Sequence, residues 1–106
     1  MQQWIGTFFC VGLFVVTGDS VKGDIEVELG ELGTTFTGSF KIKYTGTYLS
    51  GEETTGIIKS EEGFLFAKME DRHILFIVDT SDDKTIKGHY IFSTLHDAGF
   101  FTLKRV

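Results

Sequence analysis

Apolar and polar residues alternate along much of this chain with a period of two. The clearest run is 21–29, where Val21, Gly23, Ile25, Val27 and Leu29 fall on one side and Lys22, Asp24, Glu26 and Glu28 on the other. Successive side chains of an extended strand point to opposite faces, so the run predicts a strand half in a core and half in water. Residues 34–44 repeat the pattern, with Phe36, Gly38, Phe40, Ile42 and Tyr44 inside and Thr35, Thr37, Ser39, Lys41 and Lys43 outside. Acidic Glu26 and Glu28 are then placed to pair with basic Lys41 and Lys43 across two neighbouring strands. In 85–93, Ile86, Gly88, Tyr90 and Phe92 alternate with Thr85, Lys87, His89 and Ser93, and Ile91 is the exception on the polar side.

Turn chemistry divides the chain into short, evenly spaced pieces. Clusters of Gly, Asp, Ser and Thr, which tolerate positive φ or bond their own backbone, mark seven turns at 17–20, 30–33, 44–52, 60–63, 70–72, 79–84 and 94–99. Eight strands remain, near 3–16, 21–29, 34–44, 53–60, 63–70, 73–79, 85–93 and 99–105, and no helical period is visible. Consecutive hairpins at this spacing predict an all-β fold, an eight-stranded antiparallel up-and-down β-barrel occupying 1–106 as a single domain. The inward glycines Gly6, Gly23, Gly38, Gly56 and Gly88 let the strands coil around a small radius.

Two segments depart from one-sided burial. Residues 4–16 form a 13-residue run without a charge, apolar on both faces, and 74–78 (ILFIV) is the same. A strand in a barrel wall has one inside face. The other must meet a partner chain, a terminal segment, a membrane or a long covering loop. Residues 4–16 are too few to cross a bilayer, which takes about 20 apolar residues. No basic residue precedes them, no A-x-A cleavage site follows, and Phe8-Phe9 before Cys10 is no lipobox. The run reads as a folded strand, and its outer face is a candidate for self-association.

Composition agrees with a β fold. Val, Ile, Thr, Phe, Tyr and Trp make up 44 of the 106 residues, Ala occurs twice and Pro never. With 42% hydrophobic residues the chain can bury a core and is not a disordered segment. Ten Lys+Arg against 15 Asp+Glu, a net charge of −5, leave no basic face for a nucleic-acid duplex. The lone Cys10 excludes an internal disulfide and fits a cytoplasmic setting.

Candidate chemistry is sparse. His73, His89 and His96 lack metal-ligand spacing and read as isolated surface groups, and the DTSDDK segment reads as a solvated turn, so no metal is expected. Cys10 lies in an apolar run, where a thiol is inert. No nucleophile elbow, P-loop or dinucleotide fingerprint is present, so neither an enzyme nor a cofactor is predicted. The aromatic residues are the better clue. Trp4, Phe36, Phe40, Tyr44, Phe66, Phe76, Tyr90 and Phe92 are candidates for inward positions. Eight-stranded barrels either fill with side chains or hold one small ligand, and both outcomes stay open. In the second, Trp4, Phe40, Tyr44, Phe76, Tyr90 and Phe92 line the ligand site, with Thr35, Thr55 and Lys87 near its mouth.

The layout resembles the calycin barrels, the lipocalin-like, avidin-like and fatty-acid-binding-like proteins. The resemblance rests on Trp4-Ile5-Gly6-Thr7-Phe8 at the start of the first strand and on Gly38-Ser39-Phe40 and Gly88-His89-Tyr90 at strand centres. It implies a minimal lipocalin-like barrel, lacking the usual helix and disulfides. A narrower resemblance lies at the C-terminal end, where Ile86-Lys87-Gly88-His89-Tyr90 and Gly99-Phe100-Phe101-Thr102-Leu103-Lys104-Arg105 look like the closing hairpin of the minimal β-barrel effector domain of bacterial CBASS antiphage systems. That resemblance implies recognition of a cyclic oligonucleotide in antiviral defence, with assembly on binding. In that family a membrane module is attached, and here membrane contact would come only through a segment outside this sequence.

The leading expectation is therefore a non-catalytic small-molecule-binding barrel, a cyclic-nucleotide receptor under the narrower resemblance. The alternative is a filled barrel acting as a protein-interaction or structural assembly module.

Overall fold

The structure, a computed structural model, describes residues 1–10, 22–46, 50–61, 64–69, 72–92 and 97–106, with positions 61, 68, 69, 72, 92 and 97 described at the backbone only. Eight strands run in chain order: β1 Gln2–Cys10, β2 Lys22–Leu29, β3 Phe36–Tyr44, β4 Glu53–Glu61, β5 Phe64–Met69, β6 Arg72–Ser81, β7 Thr85–Phe92 and β8 Asp97–Arg105. Every neighbour is antiparallel, and β8 pairs back onto β1, closing an up-and-down barrel. The described residues contain no helix, and hence none long and apolar enough to cross a membrane. Each of the eight described strands thereby has a neighbour on both sides, although the ladder between β4 and β5 starts at Ile57 and that between β5 and β6 ends at Phe76.

The alternation read from the sequence is the alternation of the wall. In β2, Gly23, Ile25, Val27 and Leu29 are buried and the charged Lys22, Asp24, Glu26 and Glu28 that alternate with them are exposed. In β1, Trp4, Phe8 and Cys10 turn inward while Ile5 and Phe9 face out. Residues 11–16, expected to prolong that strand, lie outside the described residues. Ile91 keeps the alternation of β7 by pointing outward although it is apolar.

Inside, one cluster joins the strands. Trp4, Phe8, Ile25, Val27, Leu29, Phe40, Ile42, Ile58, Leu65, Ala67, Ile74, Phe76, Ile86, Tyr90, Phe101 and Leu103 are buried together. Its centre is a chain of ring contacts. Phe101 meets Phe76 at 5.2 Å and 88°, Phe76 meets Tyr90 at 6.2 Å, Tyr90 meets Phe8 at 6.0 Å, and Phe8 meets Tyr44 at 5.9 Å. Steep interplanar angles set the positive edge of one ring against the negative face of the next.

Several boundaries move. The strand expected at 73–79 continues to Ser81, because one extra residue at Asp79 shifts the register: Val78 pairs with Gly88 but Thr80 with Lys87. The bulge also switches which residues turn inward, so that Ser81, not Thr80, is opposite buried Ile86. Arg72, expected in a turn, is paired with Met69, and β8 begins at Asp97. Phe66 is corrected from inside to outside. Leu65 and Ala67 take the two buried places of β5, which leaves Phe66 39% exposed. Glu26 does sit opposite Lys41, but Lys43 is opposite Asp24, Glu28 is opposite Ser39, and the Lys41 ammonium lies 3.6 Å from Glu53 on β4.

Two glycines permit the tight curvature. A Cβ on Gly6 would overlap the carbonyl oxygen of Thr102 on β8, and one on Gly38 would overlap that of Glu28 on β2. The neighbouring backbones come that close because the strands coil there, as the sequence predicted for these positions. The turn from β6 to β7 is held differently. The Asp82 carboxylate accepts the backbone N–H groups of Lys84 and Thr85, each at 2.8 Å, and the Asp82 N–H donates to the Thr85 carbonyl at 2.9 Å. The bonds from Lys84 and then Thr85 favour the ionised carboxylate and hold its pKa below the ordinary value.

Two predictions follow from this framework. Gly6→Ala lowers the thermal midpoint by about 5 °C or more, since overpacking costs about 1–3 kcal/mol, whereas exposed Thr7→Ala leaves it nearly unchanged. For Asp82 the folded pKa is depressed, so its contribution is present above the unfolded pKa and is lost as pH falls through the folded one. The gap in thermal midpoint between the natural chain and Asp82→Ala should hold from neutral pH down to about 5 and close below about pH 4. A gap that persists unchanged at lower pH would contradict this assignment.

Candidate functional site

The antiparallel order gives the barrel two unlike ends. One carries the turns after β2, β4 and β6 together with residues 1 and 106, and the other carries the turns after β1, β3, β5 and β7. The described residues at the first end leave a hollow. An indentation of about 650 Å³ lies between residues 30–32 of the β2–β3 turn, residues 81–83 of the β6–β7 turn, and the outer ends of β1 and β8.

Each part of this mouth is placed by pairing. Trp4 is opposite Arg105 and Gln2 is opposite Leu29, and directly opposed residues share a face. Trp4 and Leu29, both buried, form the apolar floor, with Leu32 packed against the core beside them. Gln2 and Arg105 stand on the rim above them. The Arg105 guanidinium reaches across toward the carbonyl of Asp83 at 3.5 Å, and the Arg105 N–H donates to the carbonyl of Lys84 at 2.9 Å. On the other side, the Thr34 hydroxyl and N–H both donate to the Glu31 carbonyl, at 2.6 and 3.1 Å, which closes the β2–β3 turn. Glu31, Asp82 and Asp83 place three carboxylates around the indentation against the guanidinium of Arg105 and the amino group of Met1. Such a site offers an apolar floor, an indole edge, hydrogen-bond acceptors and a negative rim.

The residues expected to line a ligand site are spread along the barrel axis. Trp4 reaches the mouth. Phe40, Phe76 and Tyr90 are buried in the core, Phe76 and Tyr90 against each other. Tyr44 is half-buried near the far end and packs on Phe8. Phe92 has its backbone place opposite Ile74, and its side chain lies outside the description. Thr35, Thr55 and Lys87, expected near a mouth, are exposed: Thr55 pairs with Lys41 and Lys87 with Thr102 on the outer wall, and Thr35 lies in the β2–β3 turn.

None of Gln2, Glu31, Leu32, Asp83 and Arg105 was expected at a ligand site. Each looks like an ordinary turn or strand-end residue until the registers bring 2 beside 29 and 4 beside 105. His89 is not isolated as expected. Its Nδ1 lies 3.0 Å from Oδ2 of Asp79 on the outer wall, where Asp79 is the next residue on the face of Ile77, which is opposite His89. His96 lies outside the described residues. Among the described residues, no three His, Cys, Asp or Glu side chains gather as a metal site would require.

Comparison with known proteins adds no relative to this geometry: no family model, no curated protein and no solved structure matches the chain. What stands is the closed eight-stranded antiparallel barrel itself.

Proposed function

We propose that this chain is a non-catalytic small-molecule-binding barrel whose ligand sits at the mouth over Trp4. The observation that carries the reading is an indentation of about 650 Å³ with an indole in its floor. That volume falls in the range of about 300–1,000 Å³ typical of ligand sites, and its mixture of apolar floor and polar rim is the usual one. The ring chain of Phe8, Phe76, Tyr90 and Phe101 occupies the middle of the barrel, so the proposed ligand stays at the end rather than threading the lumen.

The rim narrows the ligand class. Three carboxylates against the Arg105 guanidinium and the Met1 amino group leave the rim acidic on balance, which favours a neutral or cationic ring compound over a polyanion. The cyclic oligonucleotide implied by the resemblance to CBASS effector barrels is a second, finer reading, supported at this mouth by the cationic groups of Arg105 and Met1. A reducing, cytoplasmic setting fits the single buried thiol of Cys10.

Trp4 is the only tryptophan, so its emission reports on this mouth without a label. The test is a paired screen of thermal midpoint and Trp4 emission against aromatic amines, neutral ring compounds, fatty acids, biotin and cyclic di- and trinucleotides. A ligand at about 100 times its Kd adds about 2.7 kcal/mol, or several degrees. A ring compound that moves both signals supports the reading. A response to cyclic nucleotides alone supports the finer one. If no probe moves either signal, the mouth is not a ligand site and the proposal fails.

A further inference from the structure

The charged positions of the outer wall are arranged in two different ways. On β2, β3 and β4, cations and carboxylates face one another: Lys41 is opposite Glu26, and Lys43 is opposite Asp24 and Glu53. On β7 and β8 they do not. Lys87 has Thr102 on one side and Thr80 on the other, and Lys104 has Thr85 on one side and Ile5 on the other. Thr85 and Lys87 share one face of β7, and Thr102 and Lys104 share one face of β8. The four form a square, with the lysines at the ends of one diagonal and the threonines at the ends of the other. Diagonal neighbours lie about 7–8 Å apart, within reach of long side chains. Both lysines are exposed and both threonines are half-buried.

Two more cations join the square at the end that carries the mouth. The Arg105 N–H donates to the Lys84 carbonyl at 2.9 Å, which holds these two residues side by side. Lys84, Thr85, Lys104 and Arg105 line a shallow hollow of about 670 Å³ with Asp83 and Val106. The cations Lys84, Lys87, Lys104 and Arg105 thus stand against the Asp83 carboxylate and the terminal carboxylate of Val106. The other carboxylates nearby are engaged or distant. Asp82 accepts the backbone N–H groups of Lys84 and Thr85, each at 2.8 Å, and Asp79 lies 3.0 Å from His89. Glu26 is two strands from Lys104, beyond Ile5, a distance of about 10 Å. Among the described residues, none of the four cations is ion-paired with a carboxylate.

Like charges held together by backbone pairing repel one another, and an anion between them relieves the repulsion. The chemistry of the square favours phosphate. Ammonium groups and hydroxyls side by side are donors that phosphate oxygens accept. From Lys84 to Lys87 the chain spans about 10 Å, more than one phosphate covers. A terminal phosphate carries about −1.5 to −2 charge at neutral pH, so a compact group of them engages several of these cations at once. A nucleic-acid duplex needs a longer basic track than these four groups provide.

We infer that the outer face of β7 and β8, around Lys87 and Lys104, binds a compact anion of clustered terminal phosphates, either an oligophosphate in solution or a polyphosphorylated lipid headgroup. The inference does not rest on the ligand proposed at the mouth. Arg105 borders both hollows, so the test uses Lys87 and Lys104, which lie outside the mouth.

Isothermal titration calorimetry with inorganic tripolyphosphate tests it at about 150 mM salt, where exposed charges are largely screened beyond about 8 Å. The natural chain should bind with a dissociation constant near or below about 100 µM. Lys87→Gln and Lys104→Gln should each weaken binding about fivefold or more and leave the thermal midpoint of the free protein nearly unchanged. Asp83→Asn should strengthen binding about threefold, because it removes a carboxylate from the hollow. Lys43→Gln, on the other half of the wall, should have no effect. Flotation with phosphatidylcholine vesicles carrying about 5% phosphatidylinositol bisphosphate distinguishes the two sources. Co-flotation lost in both glutamine variants assigns the headgroup, and tripolyphosphate binding without co-flotation assigns the soluble anion. No tripolyphosphate binding up to about 1 mM overturns the inference, and so does binding indifferent to both lysines.

Discussion

The pairing of β8 with β1 is the constraint on which the rest depends. Seven hairpins alone would leave a curled sheet with two raw edges. The ladder from Trp4 opposite Arg105 to Cys10 opposite Gly99 removes both edges and fixes the circumference. A fixed circumference fixes an interior volume, and the inner residues must fill it. Large rings near the axis are therefore tolerated only because glycines elsewhere let backbones approach. Gly6 beside β8 and Gly38 beside β2 are the places where that trade is tightest. The same ladder builds the mouth, since it carries Arg105 to the rim above Trp4.

Much of this architecture can be read from residue order, because period-two alternation and turn chemistry are local signals. The run 21–29 shows its buried and exposed faces without any knowledge of its neighbours. Phe66 shows where such reading stops. An aromatic residue among apolar neighbours looks like core, yet the parity of β5 is decided by Leu65 and Ala67. Ala67 is fully buried opposite Ile58 on β4 and Ile74 on β6, and the charge of Lys68, two residues after Phe66, is the local sign that Phe66 lies on the solvent side. Asp79 is a second case. Its composition marks a turn, but the strand runs past it with one residue to spare. The mouth is the third. Gln2, Glu31 and Arg105 are far apart in sequence and ordinary in type, and only the registers of β1 with β2 and β8 bring them together.

A filled middle moves recognition outward. The buried cluster from Trp4 to Phe101 leaves the ends and the outer wall as the surfaces able to meet another molecule. These surfaces draw on different residues. The mouth is made by turns and strand ends, and the wall by alternate positions of the same strands that build the core. Substitutions at one need not disturb the other, since exposed positions at this distance share few packing partners. One small domain thereby has room for two kinds of contact.

The extra residue at Asp79 shows how such a domain can change by length rather than by substitution. Upstream of it, Ile74, Phe76 and Val78 face the axis, and downstream the inward position passes to Ser81. Removing Asp79 would make the pleat regular while Thr80 stays opposite Lys87 and Ser81 stays opposite Ile86. The core strands below would keep their registers. Insertion and deletion, usually ruinous inside a strand, thus become a mild variable at this one point. Chain length can therefore vary by one residue at this point without changing which side chains face the axis or hold the barrel closed.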